Sequence, residues 1–149
     1  MADKNNNIPV ESNAMYLPIS NRSASAYTRV GVETSVSCAD PHELIDLLFN
    51  NLLETLSLAR NAIESKNIAA KGTSIAKATR LIAEGLEGGL SPAGGMLTTN
   101  LSALYDYCIV RLVQANLKND VAAIDEVRNL IEPVAESWKA IRGHTTQGK

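Results

Sequence analysis

Residues 40–63 read DPHELIDLLFNNLLETLSLARNAI, and this stretch predicts an α-helix from its first residue onward. Asp40 is a typical N-cap, Pro41 suits the first helical position, and Glu43 supplies the partner of a capping box. The apolar residues that follow recur every three or four positions, which places them in one stripe facing a core. The stripe consists of Ile45, Leu48, Leu52, Leu56, Ala59 and Ile63, and the helix is expected to end near residues 66–67.

Three further amphipathic helices are predicted after this one. The second helix runs from about Gly72 to Glu87 and should stop at Gly88 and Gly89, which can supply the left-handed residue of a helix C-terminus. The third spans residues 96–118. The fourth starts at an Asn119–Asp120 cap and runs to residue 141 with the most regular heptad spacing in the chain. That heptad comprises Ile124, Val127, Ile131, Val134, Trp138 and Ile141.

Four helices with short connections favour antiparallel neighbours, because each can then bury its stripe against the next. The sequence therefore predicts an all-α fold, an antiparallel up-down-up-down four-helix bundle over residues 41–141. Trp138 lies on the core stripe of the last helix. Pro133 lies inside the same helix, where it removes one backbone hydrogen bond, so a kink is expected near Asn129 to Pro133.

The two ends of the chain lack this periodicity. Residues 1–40 are rich in Asn, Ser and Thr and are predicted to form a mobile N-terminal arm. Residues 1–14 within it are either an expression tag or a natural extension, since Ser12, Asn13 and Ala14 before Met15 resemble a protease-cleavage scar. Residues 142–149 are predicted to be a disordered tail.

Composition argues against several classes of partner. The formal net charge is -2 and the basic residues are scattered, so neither nucleic acid nor anionic lipid is an expected partner. No signal peptide or membrane span is predicted, which favours a cytoplasmic location. Cys38 and Cys108 are far apart in sequence and are expected to be reduced thiols.

The residue types needed for catalysis are not clustered. His42 and His144 are the only histidines, and neither belongs to a Glu-x-x-His metal pair. His42 is expected to be a solvated residue of the first helical turn. The glycines between residues 85 and 95 lack the Gly-Lys-Ser/Thr ending of a phosphate loop. The sequence thus predicts no catalytic residue, no metal site, no cofactor and no enzyme activity.

Two helices carry more apolar surface than a bundle seam needs. Beside its main stripe the first helix has Leu44, Leu47 and Leu58, and the third has Tyr105, Ile109 and Val113. A stripe this wide either packs against additional helices or stays partly open as a groove. The sequence leaves both alternatives open.

Five segments resemble the FliS family of flagellin-export chaperones. They are AYTRVGVET (26–34), DPHELI (40–45), LSALYDY (101–107), LVQANLKND (112–120) and AESWK (135–139). The segments occur in family order and at family spacing, so the resemblance covers the chain from about Met15 to Ile141. Two departures stand out: Pro133 replaces an ordinary helix former, and residues 1–14 have no counterpart.

The resemblance implies a cytosolic helical bundle that binds the disordered C-terminal segment of flagellin. Such a chaperone prevents premature polymerisation of flagellin and delivers it to the flagellar type III export apparatus, which makes an export-gate subunit a further candidate partner. It also implies that Tyr27 folds back onto the bundle near the flagellin-binding surface. An alternative is a structural or adaptor bundle that self-associates through the same apolar stripes when flagellin is absent.

The expected flagellin-binding residues come from the arm and from two helices. A groove that covers an amphipathic segment needs apolar side chains, and ordering a disordered partner costs about 2–5 kcal/mol, so the contact must be extensive. The predicted contact residues are Tyr27, Val30, Ile75, Ile82, Leu101, Tyr105 and Ile109.

Overall fold

The computed structural model of the protein describes residues 40–147, with side chains up to residue 141. The described chain contains helices and turns but no strand, which confirms the predicted all-α fold. A π-helical turn, Leu81–Glu87, directly continues the second helix, and a 3₁₀ turn, Pro92–Gly94, precedes the third. The helices are α1 (Pro41–Glu64), α2 (Ile68–Arg80), α3 (Met96–Lys118) and α4 (Val121–Gln147). Apart from Asp40, the predicted N-terminal arm lies outside the described residues.

The helices pack in the cyclic order expected of an up-down-up-down bundle. Helix α1 contacts both α2 and α4, while α3 contacts α4 on one side and α2 with its π-helical turn on the other. Short connections make consecutive helices antiparallel neighbours. The start of α1, the π-helical turn, the start of α3 and the C-terminal half of α4 therefore meet at one end of the bundle.

Local capping fixes where α1 begins. The Glu43 backbone N–H donates to Asp40 Oδ1 at 2.7 Å, and the Asp40 N–H donates to Glu43 Oε1 at 3.4 Å. These are the two reciprocal bonds of a capping box, and Pro41 occupies the first turn as predicted.

The predicted start of the second helix was wrong. Helix α2 begins at Ile68 rather than near Gly72, because Asn67 acts as its N-cap and accepts a hydrogen bond from the Ala70 N–H at 3.1 Å. Lys66, with φ of 60°, takes the left-handed conformation that separates α1 from α2. The break between the two helices is therefore only a few residues long.

The stop predicted at Gly88 and Gly89 was also wrong in its conformation. Gly88 has φ of -62° and ψ of -21°, which is right-handed helical geometry, and Gly89 has no positive φ either. A Cβ atom built on Gly88 would lie 2.5 Å from the Glu84 carbonyl oxygen. Glycine is required here because of this close approach and not because of a left-handed backbone.

The cap of the last helix is confirmed. Asp120 Oδ1 accepts hydrogen bonds from the Ala122 N–H at 3.0 Å and the Ala123 N–H at 3.3 Å. Asn119, with φ of 54°, provides the left-handed end of α3. Local sequence therefore sets the turn between α3 and α4.

Helix α4 continues to Gln147, so the predicted boundary between bundle and tail at residue 141 falls inside a helix. Pro133 lies within this helix. Both Pro133 and Asn129 are exposed, so water can bond to the Asn129 carbonyl that lacks its usual donor. The bend expected between these residues stays a prediction.

A single core runs along the bundle axis and receives residues from every helix. Its aliphatic side chains interdigitate with few polar atoms among them, and Thr55 satisfies its hydroxyl by donating to the Asn51 carbonyl at 2.7 Å. The largest fully buried side chains are Phe49, Leu48, Leu52, Leu56, Leu81, Ile82, Leu112, Ile124, Ile131 and Val127.

His42 and Trp138 join the start of α1 to α4. The Trp138 Nε1–H donates to the His42 carbonyl at 3.0 Å, and His42 Nε2 lies 3.2 Å from the Trp138 carbonyl oxygen. The two rings are stacked with centroids 4.2 Å apart. The prediction of a solvated His42 was wrong, because the imidazole is partly buried against the indole.

Ion pairs also connect neighbouring helices. Arg60 on α1 reaches Asp125 on α4 at 2.8 Å, and Arg111 on α3 reaches Glu126 on α4 at 2.7 Å. The hydrogen bond from Arg60 lowers the pKa of the Asp125 carboxyl below its usual range, because it stabilises the charged form.

We expect Trp138→Ala to lower the free energy of unfolding by about 3–5 kcal/mol, because it leaves a cavity and removes the bond to the His42 carbonyl. Chemical denaturation monitored by circular dichroism measures this value. Trp138→Phe keeps an aromatic ring and should cost markedly less. A loss below about 1 kcal/mol for the alanine variant would contradict a core role for the indole.

We expect Asp125→Asn to reduce stability at neutral pH and to have little effect in acid. A carboxyl whose folded pKa is depressed stabilises the fold above its unfolded pKa of about 3.9, and this contribution is lost as the pH falls through the folded pKa. Thermal unfolding of both proteins between neutral pH and about pH 3 measures the difference. Glu54→Gln, at an exposed position of α1, controls for the change in charge. A stability difference that does not vary with pH would contradict the assigned ion pair.

Candidate partner-binding site

An open apolar cavity of about 260 Å³ lies at the end of the bundle where α1 starts. Residues of α1, the π-helical turn, the loop that follows it, α3 and α4 form its wall. Ser137 is the only lining residue that is neither aliphatic nor aromatic. The lining residues are Ile45, Phe49, Leu86, Leu90, Leu97, Leu101, Tyr105, Val134, Ser137, Trp138 and Ile141.

The floor and the mouth of the cavity differ in exposure. Ile45, Phe49 and Leu86 are buried and belong to the bundle core. Leu97 and Ile141 are exposed and stand at the mouth. The cavity is therefore an opening of the core onto the surface.

The size and chemistry of the cavity suit apolar side chains. A dry apolar cavity of about 150 Å³ already accepts benzene, so the larger volume here can take one or two large apolar side chains. Burial raises the pKa of the Tyr105 hydroxyl, which keeps this group neutral at physiological pH. The cavity thus offers apolar contact without a fixed charge.

The Glu87 carboxyl group lies beside the cavity, close to Asp106. Ser102 Oγ on α3 donates to Glu87 Oε2 at the end of the π-helical turn, at 2.7 Å. Partial burial raises the pKa of Glu87, and its proximity to Asp106 acts in the same direction, while the bond from Ser102 opposes the shift. Glu87 and Ser102 connect the π-helical turn to α3.

The structure separates the predicted contact residues into groups. Leu101 and Tyr105 lie together in the cavity wall. Ile75 and Ile82 are core residues, with exposed fractions of 3% and 0%, so they offer no surface to a partner in this conformation. Ile109 is partly buried and packs against the core.

The two predicted arm residues, Tyr27 and Val30, lie outside the described residues. Their contact with the bundle stays a prediction.

Most of the cavity wall was not predicted as a binding surface. Ile45, Val134, Trp138 and Ile141 were assigned to core stripes, and Leu86 was placed only within the range of the second helix. Periodicity identifies which side of a helix is apolar but not where a bundle stays open. One residue in the sequence could have indicated the cavity: Leu90 lies in the glycine-rich loop, and an apolar side chain in a loop is expected to pack against other apolar side chains.

A second apolar surface runs along the outward side of α3. Val110 and Leu117 have exposed fractions of 53% and 76%, and Tyr107 and Val113 are also exposed. These four residues recur at helical spacing and are called the α3 stripe below. Of the second apolar row predicted on the third helix, only Val113 belongs to this stripe, whereas Tyr105 is buried and Ile109 packs against the core.

Two negative findings apply to the described part of the chain. It contains no group of three or more His, Cys, Asp or Glu residues that could hold a metal ion. None of its helices is long and apolar enough to cross a membrane. The one cysteine there, Cys108, is buried, and its burial raises the thiol pKa to about 11.

A four-helix core with an open apolar cavity at one end defines this chain as a helical-bundle protein with exposed apolar surface. Residues 23–145 match the family model described as Flagellar protein FliS. The chain belongs to the FliS family.

Curated relatives agree with this assignment. The chain is 48% identical over 117 residues to the flagellar secretion chaperone FliS of Salmonella typhimurium, covering 78% of this chain and 87% of the relative. It is 44% identical over 115 residues to the flagellar secretion chaperone FliSB of Pseudomonas aeruginosa, with 77% and 91% coverage. For FliS of Escherichia coli K12 the identity is 40% over 119 residues, with 79% and 88% coverage.

Proposed function

We propose that this protein is a cytoplasmic, non-enzymatic secretion chaperone that binds the disordered C-terminal region of flagellin. It prevents premature polymerisation of flagellin and delivers it to the flagellar type III export apparatus. An export-gate subunit is the further partner that this role requires. The observation that supports the proposal most directly is the open apolar cavity at one end of the bundle.

The physical argument concerns the surfaces that a secreted subunit must hide. Flagellin segments that assemble through apolar faces must have those faces covered until export. An amphipathic helix that lays its apolar residues into a groove is an established mode of such recognition. Here Leu101, Tyr105 and the floor residues provide an apolar site that exists before the partner binds. Because the site is already formed, only the partner segment has to become ordered on binding, and this lowers the entropic cost of binding.

Self-association is a second candidate function, and the α3 stripe favours it. Four exposed apolar residues at helical spacing form a surface that a second copy of the chain could cover. Size-exclusion chromatography with and without a C-terminal flagellin fragment discriminates the two functions. A one-to-one complex with the fragment supports the chaperone, whereas a dimer that ignores the fragment supports the adaptor.

We expect Leu101→Gln to weaken binding of a C-terminal flagellin fragment at least about tenfold, equivalent to ~1.4 kcal/mol. The amide would lie in an apolar cavity without a hydrogen-bond partner. Isothermal titration calorimetry measures the affinity.

Leu117→Gln is the matched control, because it makes the same chemical change at an exposed position near the other end of α3. We expect this variant to bind the fragment as the wild type does. Equal losses in both variants would show that the cavity is not the binding site.

The chain enters the bundle beside the cavity. Helix α1 begins at Pro41, and Ile45 and Phe49 in its first turns line the cavity. Residues that precede Asp40 are therefore connected to this end of the bundle, which supports a role for Tyr27 and Val30 at the binding surface. An aromatic residue with a polar tip is suited to such a contact.

We expect Tyr27→Asp to weaken fragment binding while the melting temperature and helix content stay near those of the wild type. The new carboxylate would oppose apolar side chains at the binding surface, and the four helices remain unchanged. Calorimetric titration with the same fragment provides the affinity, and Tyr27→Phe controls for loss of the hydroxyl alone. Unchanged affinity in Tyr27→Asp would remove the arm from the mechanism.

A further inference from the structure

The π-helical turn is the least ordinary backbone feature of the described chain. Its last hydrogen bond runs from the Gly88 N–H to the Ala83 carbonyl, five residues back, at 2.9 Å. Most π-helical segments are single turns inserted in α-helices, and they occur frequently at functional sites. Here the segment directly adjoins the cavity, because Leu86 lines it.

The turn packs against the core through two pairs of consecutive residues. Leu81 and Ile82 are buried, and so are Gly85 and Leu86 one turn later. Gly85 also lets α1 come close, since a Cβ atom there would lie 3.0 Å from Leu48 Cδ2.

Gly88 is the residue that permits this geometry. Its backbone is right-handed helical, so any amino acid could adopt its φ and ψ values. A Cβ atom would nevertheless meet the Glu84 carbonyl oxygen at 2.5 Å. The conflict arises from the wide turn, because alanine fits everywhere in an ordinary α-helix. A side chain at this position therefore opposes the π-helical register and favours the α-helical one.

The register of the turn sets two parts of the binding site. It places the Leu86 side chain in the cavity wall, and it places the Glu87 carboxylate within 2.7 Å of Ser102 Oγ. Ser102 is next to Leu101, which lines the cavity from α3. A change of the turn to α-helical hydrogen bonding shifts its register by one residue and moves both Leu86 and Glu87 away from these positions. The glycine-rich loop after the turn can absorb the shift.

We infer that Gly88 is a positioning residue of the cavity: by permitting the π-helical turn, it holds Leu86 in the wall and Glu87 on Ser102, and so determines which apolar side chains the cavity accepts. This inference rests on the proposed function only in naming flagellin as the source of those side chains. The shape of the cavity itself depends on Gly88 whatever its natural occupant.

The first test uses 1-anilinonaphthalene-8-sulfonate (ANS), whose fluorescence rises on apolar surfaces, with the full-length protein. Leu101 lines the cavity, so the ANS fluorescence that is lost in Leu101→Gln measures the dye bound in the cavity. Gly88→Ala should weaken that part at least about fivefold, a factor well above the scatter of one titration. Gly72→Ala is the matched control, because a Cβ atom there has no neighbour within 4 Å, and it should bind ANS as the wild type does. Wild-type ANS binding in Gly88→Ala would overturn the inference.

The second test separates a register effect from general damage to the fold. Deletion of Ala83 removes the surplus residue of the wide turn, so an ordinary α-helix can keep Leu86 and Glu87 in place. Gly88→Ala should then have no effect on ANS binding in the deletion background. An equal loss in both backgrounds would show that Gly88 does not act through the register of the turn.

The flagellin fragment provides an independent measurement. If Gly88→Ala loses the cavity ANS signal but the wild type does not bind the fragment, the proposed function fails and the assignment of Gly88 stands. If the fragment binds wild type and Gly88→Ala equally while ANS binding is also unchanged, the assignment of Gly88 fails and the proposed function stands.

Discussion

Burial of the α1 stripe is the interaction on which the rest of the bundle depends. Leu48, Leu52 and Leu56 are completely inaccessible to solvent, and α1 packs against both α2 and α4. Each such side chain contributes about 1.5–3 kcal/mol when it is removed from water. Helices α1 and α3 make few contacts with each other. The bundle can therefore keep the α1 stripe buried and still leave much of α3 exposed.

This unequal burial suits the proposed binding function, which makes two opposing demands on the chain. A closed core is needed for stability, whereas a partner for apolar segments must keep apolar surface available, at a cost in solubility. The chain separates the two along its helices. Helix α1 satisfies the first demand, while the cavity satisfies the second.

The features predictable from sequence are those that local chemistry determines. The caps at Asp40 and Asp120 depend on residues within one turn, and both were predicted correctly. The all-α fold followed from apolar spacing alone. The start of α2 was missed because Asn67 reads equally well as the end of one helix or the cap of the next.

The cavity and the π-helical turn could not be predicted, because both depend on contacts between helices. The π-helical turn after Arg80 is accompanied by a close approach of Leu48 on α1 to Gly85, and nothing in the local pattern contains that distance. The opening at the end of the bundle depends on five segments that converge in space. Leu101 and Tyr105 were predicted through resemblance and wide apolar spacing, whereas Ile75 and Ile82 have equally apolar surroundings in sequence and are closed in the core.

Trp138 contributes both to the stability of the bundle and to the wall of the cavity. The indole lines the cavity, stacks on His42, and donates a hydrogen bond to the carbonyl of that residue. This one side chain therefore forms part of the floor of the site and also holds the start of α1 against α4. A partner that fills the cavity packs against the same indole, so occupancy stabilises the junction of α1 and α4 by mass action. The cavity is thus coupled to the end of the bundle where Asp40 starts α1, whereas the caps at Asn67 and Asp120 lie at the opposite end.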